Sequence, residues 1–338
     1  MNALITGGAG FIGSHLVEAL LKREQRVTVL DDLSTGSVEN LRHTRRDTRL
    51  RCIFESVMNR SLLSELVDEA DTVYHLAAAV GVRRIIESPV RTIETNIKGT
   101  ELVLECAAKK GKPVFVASTS EVYGKNRRTP FREDDDIVLG ASSRSRWSYA
   151  TSKLLDEFLA LAYFKEKKVP IVIGRLFNTV GPRQTGRYGM VLPTFVRQAL
   201  DGAPITVFGS GEQSRCFGYV EDVVEAIIRL MECDRAVGEV LNIGNTEEIT
   251  IGELARLVKD RAKSHSRIQF IPYDEAYAPG FEDMMRRVPS VDKLQSLTGF
   301  RPATTLTVII DRVIEHLRSE SDATAPTNSD TPSSATAF

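Results

Sequence analysis

Two hydrophobic periods alternate along the first half of the chain. Short apolar runs at Ala3 to Thr6, Val27 to Leu30, Arg51–Phe54, Thr72–Leu76, Val114–Ala117 and Ile171–Arg175 have the length of buried strands. Between them, apolar residues recur at helical spacing. Ser14 to Arg23 carries Leu16, Val17, Leu20 and Leu21 on one face, and Leu62–Val67, Ile93–Ala108 and Tyr149–Glu166 follow the same pattern. Strands alternating with helices predict a parallel sheet covered on both faces, with ligands at the carboxyl ends of its strands.

The expected fold class is therefore α/β, a Rossmann-type doubly wound parallel sheet with a smaller α/β substrate-binding lobe. After about Asn178 the texture changes. Gly, Pro and Arg become dense in GPRQTGRYG and FGSGEQSR, and the helical segments Leu192–Asp201, Val220–Glu232 and Ile251–Ala262 no longer alternate strictly with strands. This divides the chain into a dinucleotide-binding domain at 1–177 and a second lobe at 178–318, some of whose segments return to the first domain. Residues 319–338 hold no Leu, Ile or Val and read as a disordered tail without catalytic role.

Composition narrows the class further. The 338 residues carry 44 Lys and Arg against 45 Asp and Glu, a net charge of −1, so no global field draws the chain to nucleic acid or an anionic membrane. No apolar run approaches the ~18 residues needed to cross a bilayer. The start MNALITGG lacks a secretory pattern, and Cys52, Cys106, Cys216 and Cys233 lie far apart without CxxC spacing. A reducing cytoplasm is expected, with no metal site. The basic stretch Arg42, Arg45, Arg46, Arg49 and Arg51 reads as solvated surface.

Glycines at 7, 10 and 13 in Thr6-Gly-Gly-Ala-Gly-Phe-Ile-Gly13 fall between the first strand and the first helix. Gly7 suits a tight turn, Gly10 a close backbone approach to a pyrophosphate, and Gly13 close helix–sheet packing, with the helix N-terminus facing the anion. Asp31 ends the next strand, where a carboxylate accepts hydrogen bonds from an adenosine ribose and repels a 2′-phosphate; this favours NAD over NADP. Asp32 is the alternative ribose ligand. Tyr149 and Lys153 share a helix face by their i, i+4 spacing. A cation beside the phenol lowers its pKa and makes Tyr149 a base for a hydroxyl proton, which Thr119 also orients.

TGGAGFIG, HLAA at 75–78, STSEVYG at 118–124, YATSK at 149–153, RLFNTVGPR at 175–183 and SRCFGYVEDV at 214–223 together resemble the extended short-chain dehydrogenase/reductases, narrowly the NAD-dependent sugar-nucleotide epimerases, dehydratases and decarboxylases. The resemblance covers about residues 1–318. It implies NAD bound by Gly7, Gly10, Phe11, Ile12, Gly13, Asp31 or Asp32, Leu76, Ala77, Ala78, Asn96, Tyr149 and Lys153. It also implies a UDP-sugar held by Arg83, Ser120, Asn178, Arg183, Val191 and Arg215, a homodimer formed through two helices, and oxidation of the sugar at C4.

Within that family, small residues after the hydroxyl residue mark 4-epimerases, and Asp-Glu marks dTDP-glucose dehydratases. Ser-Glu, present here as Ser120-Glu121, marks UDP-glucuronate decarboxylases and GDP-mannose dehydratases. Arg287 in RRVPS resembles the decarboxylase active-site Arg; a diphosphate-binding or surface Arg is the other reading. Against this, the Ala79 to Arg83 loop resembles 4-epimerases, and Ser56 stands where relatives place an adenine-contacting Asp. The expected order is UDP-glucuronate decarboxylation to UDP-xylose, then 4-epimerisation of UDP-glucuronate or UDP-glucose. A 4,6-dehydratase and a protein that binds NAD without turnover come last.

Overall fold

A computed structural model describes residues 1–79, 89–144, 146–186, 190–276 and 284–324. Strands β1 (Asn2–Thr6), β2 (Arg26–Leu30), β3 (Leu50–Ile53), β4 (Thr72–His75), β5 (Val114–Thr119) and β6 (Ile171–Leu176) come from the first half of the chain. The second half adds β7 (Thr179–Val180), β8 (Ile205–Phe208), β9 (Ser214–Cys216), β10 (Gly218–Tyr219), β11 (Glu239–Ile243), β12 (Glu248–Thr250), β13 (Ile268–Ile271) and β14 (Arg286–Arg287). The main sheet has seven parallel strands in the order β11-β6-β5-β4-β1-β2-β3. The order in which strands are added reverses between β1 and β4, which opens the crevice beyond their carboxyl ends.

Helices α1 (Phe11–Lys22), α2 (Arg60–Glu69), α3 (Pro89–Lys110) and α4 (Arg146–Lys167) connect the sheet strands, followed by α5 (Val191–Leu200), α6 (Val220–Met231) and α7 (Ile251–Ala262). On one face of the sheet, Leu16, Val17 and Leu20 of α1 and Val223, Ile227 and Leu230 of α6 pack over Ile5, Val29 and Leu241. On the other, Leu63 and Leu66 of α2, Val103 and Leu104 of α3 and Ala160 of α4 cover Leu4, Val73, Val116 and Ile173. Strands buried on both faces need apolar side chains on both, which is why these runs are continuous rather than alternating.

The second lobe has its own core, in which α5, α7 and the last helix α9 (Leu306–Thr324) pack around Ile205 and Val207, with α8 (Asp292–Thr298) closing the first domain beside α6. Three segments from beyond residue 178 thus return to the first domain: α6, β11 paired with β6, and α8. The expected tail boundary at 319 moves. Helix α9 continues to Thr324, because nothing in Ser319 to Thr324 breaks a helix that Leu317 and Val313 already anchor; residues 325–338 lie outside the described ones. Among the described residues no helix is long and apolar enough to cross a membrane.

Candidate active site

A cleft of about 690 Å³ opens where the two lobes meet, running from the glycine turn to β9 and β14. Its near end is built by close approach. Gly7 has φ +75°, and a Cβ there would lie 2.7 Å from the Ala77 nitrogen; a Cβ on Gly13 would fall 2.1 Å from the Gly7 carbonyl oxygen. The turn therefore admits no side chain at either position. Gly10 is the N-cap of α1 with no side chain covering the first-turn N–H groups, an anion cradle of the kind a pyrophosphate requires.

Asp31 is buried at the end of β2, its Oδ2 accepting from Ala9 N–H at 2.9 Å and its Oδ1 from Leu33 N–H at 2.8 Å. Burial raises its pKa, opposed by those two N–H donors. Asp32 is exposed and caps Ser34 N–H at 2.9 Å. Both line the cleft, and Asp31 is the one locked to the glycine turn. Leu76, Ala77, Ala78, Phe11 and Ile12 line the same end, with Ser56 beside them. These residues fit a dinucleotide. Asn96 departs from its expected role: its amide is taken by Ala79, whose N–H it accepts at 2.7 Å, and by Ser152. It braces the wall from behind instead of lining it.

Strand β5 and the turn after it deliver Thr119, Ser120 and Glu121 to the middle of the cleft, and α4 brings Tyr149 and Lys153 from the opposite side. The strand is fixed from below by a buried ion pair, Arg175 Nη2 to Glu157 Oε2 at 2.8 Å, which Ser118 also joins. The Thr119 hydroxyl faces the Tyr149 phenol and favours its ionised form. The net effect on the phenol is nonetheless opposite to expectation. Burial, and then the charges of Glu121 and Asp156, raise the Tyr149 pKa above the ordinary tyrosine value. Lys153 does not offset this, because its Nζ donates to Asp156 Oδ2 at 2.6 Å. A cation paired with a carboxylate has little field left for a neighbouring phenol.

The far end of the cleft is cationic. Parallel pairing of β14 with β9 sets Arg287 directly beside Arg215, and both are buried. Arg287 Nη2 pairs with Glu121 Oε1 at 2.7 Å, and its Nη1 lies 3.5 Å from Asn178 Oδ1. Asn178 Nδ2 donates to the Cys216 carbonyl at 2.9 Å. Val191 opens α5 at the rim, and Ser120 Oγ is buried without a hydrogen-bond partner. Gln213 and Tyr273 also line the cleft; neither stands in a recognisable motif, and tertiary packing alone brings them there.

One expected substrate residue is also engaged inside the protein. The guanidinium of Arg183 lines the cleft but pairs with Glu18 at 2.8 Å, the Asn40 carbonyl at 2.9 Å and His15, so it clamps α1 to the second lobe. Arg83 lies outside the described residues.

The sequence profile described as the NAD dependent epimerase/dehydratase family matches residues 3–244. The chain belongs to that family. A UDP-N-acetyl-alpha-D-glucosaminuronate decarboxylase from Bacillus cytotoxicus is 44% identical over 302 residues, covering 89% of this chain and 92% of the relative. UDP-glucuronic acid decarboxylase 1 of Danio rerio is 36% identical, covering 94% and 72%. Among solved structures, UDP-glucuronic acid 4-epimerase from Bacillus cereus superimposes with a TM-score of 0.85 at 29% identity, over 95% of this chain and all of that one. This member of the epimerase/dehydratase family thus resembles decarboxylases in sequence and shares its backbone with a 4-epimerase.

Proposed function

We propose that this enzyme removes the carboxyl group of a UDP-hexuronate as carbon dioxide after oxidising the sugar at C4. The observation that carries the reading is the Glu121–Arg287 pair, which stands beside Thr119 and Tyr149 in the cleft. The glycine turn and Asp31 would hold NAD, which would supply the acceptor and later the donor of the C4 hydride. Tyr149 takes the C4 hydroxyl proton while Thr119 fixes that hydroxyl.

A ketone at C4 makes the C6 carboxylate a β-keto acid, so the C5–C6 bond electrons have a carbonyl to flow into. Arg287 offers the substrate carboxylate its guanidinium. Glu121, which the substrate carboxylate displaces from Arg287, serves as the acid that delivers a proton to C5. Arg215 and Asn178 suit the diphosphate.

UDP-N-acetylglucosaminuronate stands first as substrate, on the strength of the 44% identical relative, with UDP-glucuronate, first in the sequence reading, next. The second reading, 4-epimerisation of UDP-glucuronate, is favoured by the likeness to the Bacillus cereus enzyme. Glu121→Ser separates them. A decarboxylase loses carbon dioxide release, whereas an epimerase keeps its rate, and an unchanged rate of carbon dioxide release refutes the proposal.

We also infer a homodimer. Phe158 and Leu155 of α4 and Val90 of α3 are 63%, 45% and 69% exposed, an apolar face that a second copy would cover.

A further inference from the structure

Lys153 and Asp156 lie one turn apart on α4, with side chains only 3% and 0% exposed. Charges this deep are poorly screened, so the carboxylate acts on every ionisable neighbour. Its second oxygen, Oδ1, is buried and makes no hydrogen bond among the described residues. On its own helix it faces Lys153, Glu157 and Tyr149; from α3 it faces Thr100, whose hydroxyl favours the ionised carboxylate. Glu157 is already neutralised by Arg175. Glu121 acts on Tyr149 from the opposite wall and is paired with Arg287.

Behind Thr100 stands His75 of β4. Thr6 Oγ1 accepts the Ala77 N–H and lies 2.7 Å from His75 Nδ1, and His75 Nε2 lies 3.1 Å from Thr100 Oγ1. That ring is neutral, its pKa held at about 3 by burial and by Lys153. A chain of polar contacts therefore runs from the strand that ends in the glycine turn to Thr100, beside Asp156.

We propose that Asp156 is a positioning residue for the proton-transfer pair, fixing the Lys153 ammonium on α4 and holding a buried negative charge close to the Tyr149 phenol. This deepens the proposed function and rests on its choice of Tyr149 and Lys153, whatever the sugar. Removing a negative charge lowers the proton affinity of a neighbouring phenol. In Asp156→Asn, Tyr149 ionises at lower pH. The limb of the pH profile that Tyr149 sets then shifts to lower pH, whereas a packing defect lowers the height and leaves that limb in place.

The test compares Asp156→Asn and Asp156→Glu with the wild type in the pH profile of turnover. Alongside it, the tyrosinate ultraviolet absorbance of the NAD-supplemented proteins is titrated, with Tyr149→Phe subtracted as the blank. The limb that Tyr149 sets and the Tyr149 absorbance move to lower pH in Asp156→Asn and return towards wild type in Asp156→Glu. If Asp156→Asn does not fold, Asp156→Ser removes the same charge in a smaller side chain and moves the absorbance titration in the same direction. A limb and an absorbance that coincide with wild type in the variant without the charge overturn the inference. The absorbance arm needs no sugar, and full turnover by Tyr149→Phe would instead overturn the proposed function.

Discussion

Arg287 and Glu121 are 166 residues apart in the chain, yet Nη2 and Oε1 meet at 2.7 Å, with side chains 8% and 19% exposed. Arg287 Nε is buried without a hydrogen-bond partner. A pair this dry costs desolvation that one salt bridge repays poorly, and an incoming substrate carboxylate completes the arginine's hydrogen bonding. Replacing either partner strands the other. Glu121→Gln and Arg287→Gln are each expected to slow carbon dioxide release by about 10²–10⁴-fold, the range for a lost acid–base group. Burst analysis of NADH formation in the same variants is expected to retain C4 oxidation. Loss of oxidation and decarboxylation in equal measure would place the pair at C4 instead.

The glycine turn gives a prediction about stability and cofactor together. Ala at Gly7 must adopt φ +75° and collide with Ala77, and Ala at Gly13 collides with the Gly7 carbonyl. Strain of about 1–3 kcal/mol is expected at such a position. Gly7→Ala and Gly13→Ala are expected to melt at lower temperature and to bind NAD at least tenfold more weakly, measured by thermal shift with and without NAD. Wild-type affinity would remove the turn from the cofactor site.

Two buried histidines set an acid limit. Burial lowers His75 from 6.5 to about 3 and His15 from 6.5 to about 4, the latter with Arg183 adding to the effect. Both rings are neutral when folded and protonate more readily when unfolded. The unfolded chain thus binds more protons between the two values, so stability is full above about pH 6.5 and falls as pH drops towards the folded pKa. Each ring contributes a slope of about 1.4 kcal/mol per pH unit within that window. Denaturation midpoints from pH 7 to 5 check this; His75→Gln is expected to be less stable at pH 7 but to show a shallower slope.

The exposed apolar face on α3 and α4 predicts assembly. Phe158→Glu places a charge at the centre of the inferred contact and is expected to give monomers by light scattering with little change in the melting temperature of the isolated chain. A wild-type monomer at micromolar concentration would remove the dimer.

The first six strands and the glycine turn are legible because continuous apolar runs and close-packed glycines leave local marks. So is the meeting of Thr119, Glu121, Tyr149 and Arg287, which rests on motifs in a fixed order. Strand β11 is not: Glu239–Ile243 is short, opens with Glu and contains Asn242, and it is a strand because β6, more than sixty residues away, pairs with it. Asn96 and Arg183 look like ligands in sequence because Asn and Arg are ligand residues, but each finds its partners inside the protein. The Lys153–Asp156 pair was within reach of i, i+3 spacing. Its consequence for Tyr149 needed burial, which spacing does not report.

The central claim, that C4 oxidation at Tyr149 serves loss of the carboxyl group, is tested most directly by supplying the enzyme with carboxyl-labelled UDP-N-acetylglucosaminuronate and UDP-glucuronate. Labelled carbon dioxide and the sugar nucleotide are then measured together. The account predicts label released in equal amount to a UDP-pentose product, with no net NADH. A UDP-hexuronate epimer that retains its label, or NADH accumulating one for one with substrate consumed, would contradict it.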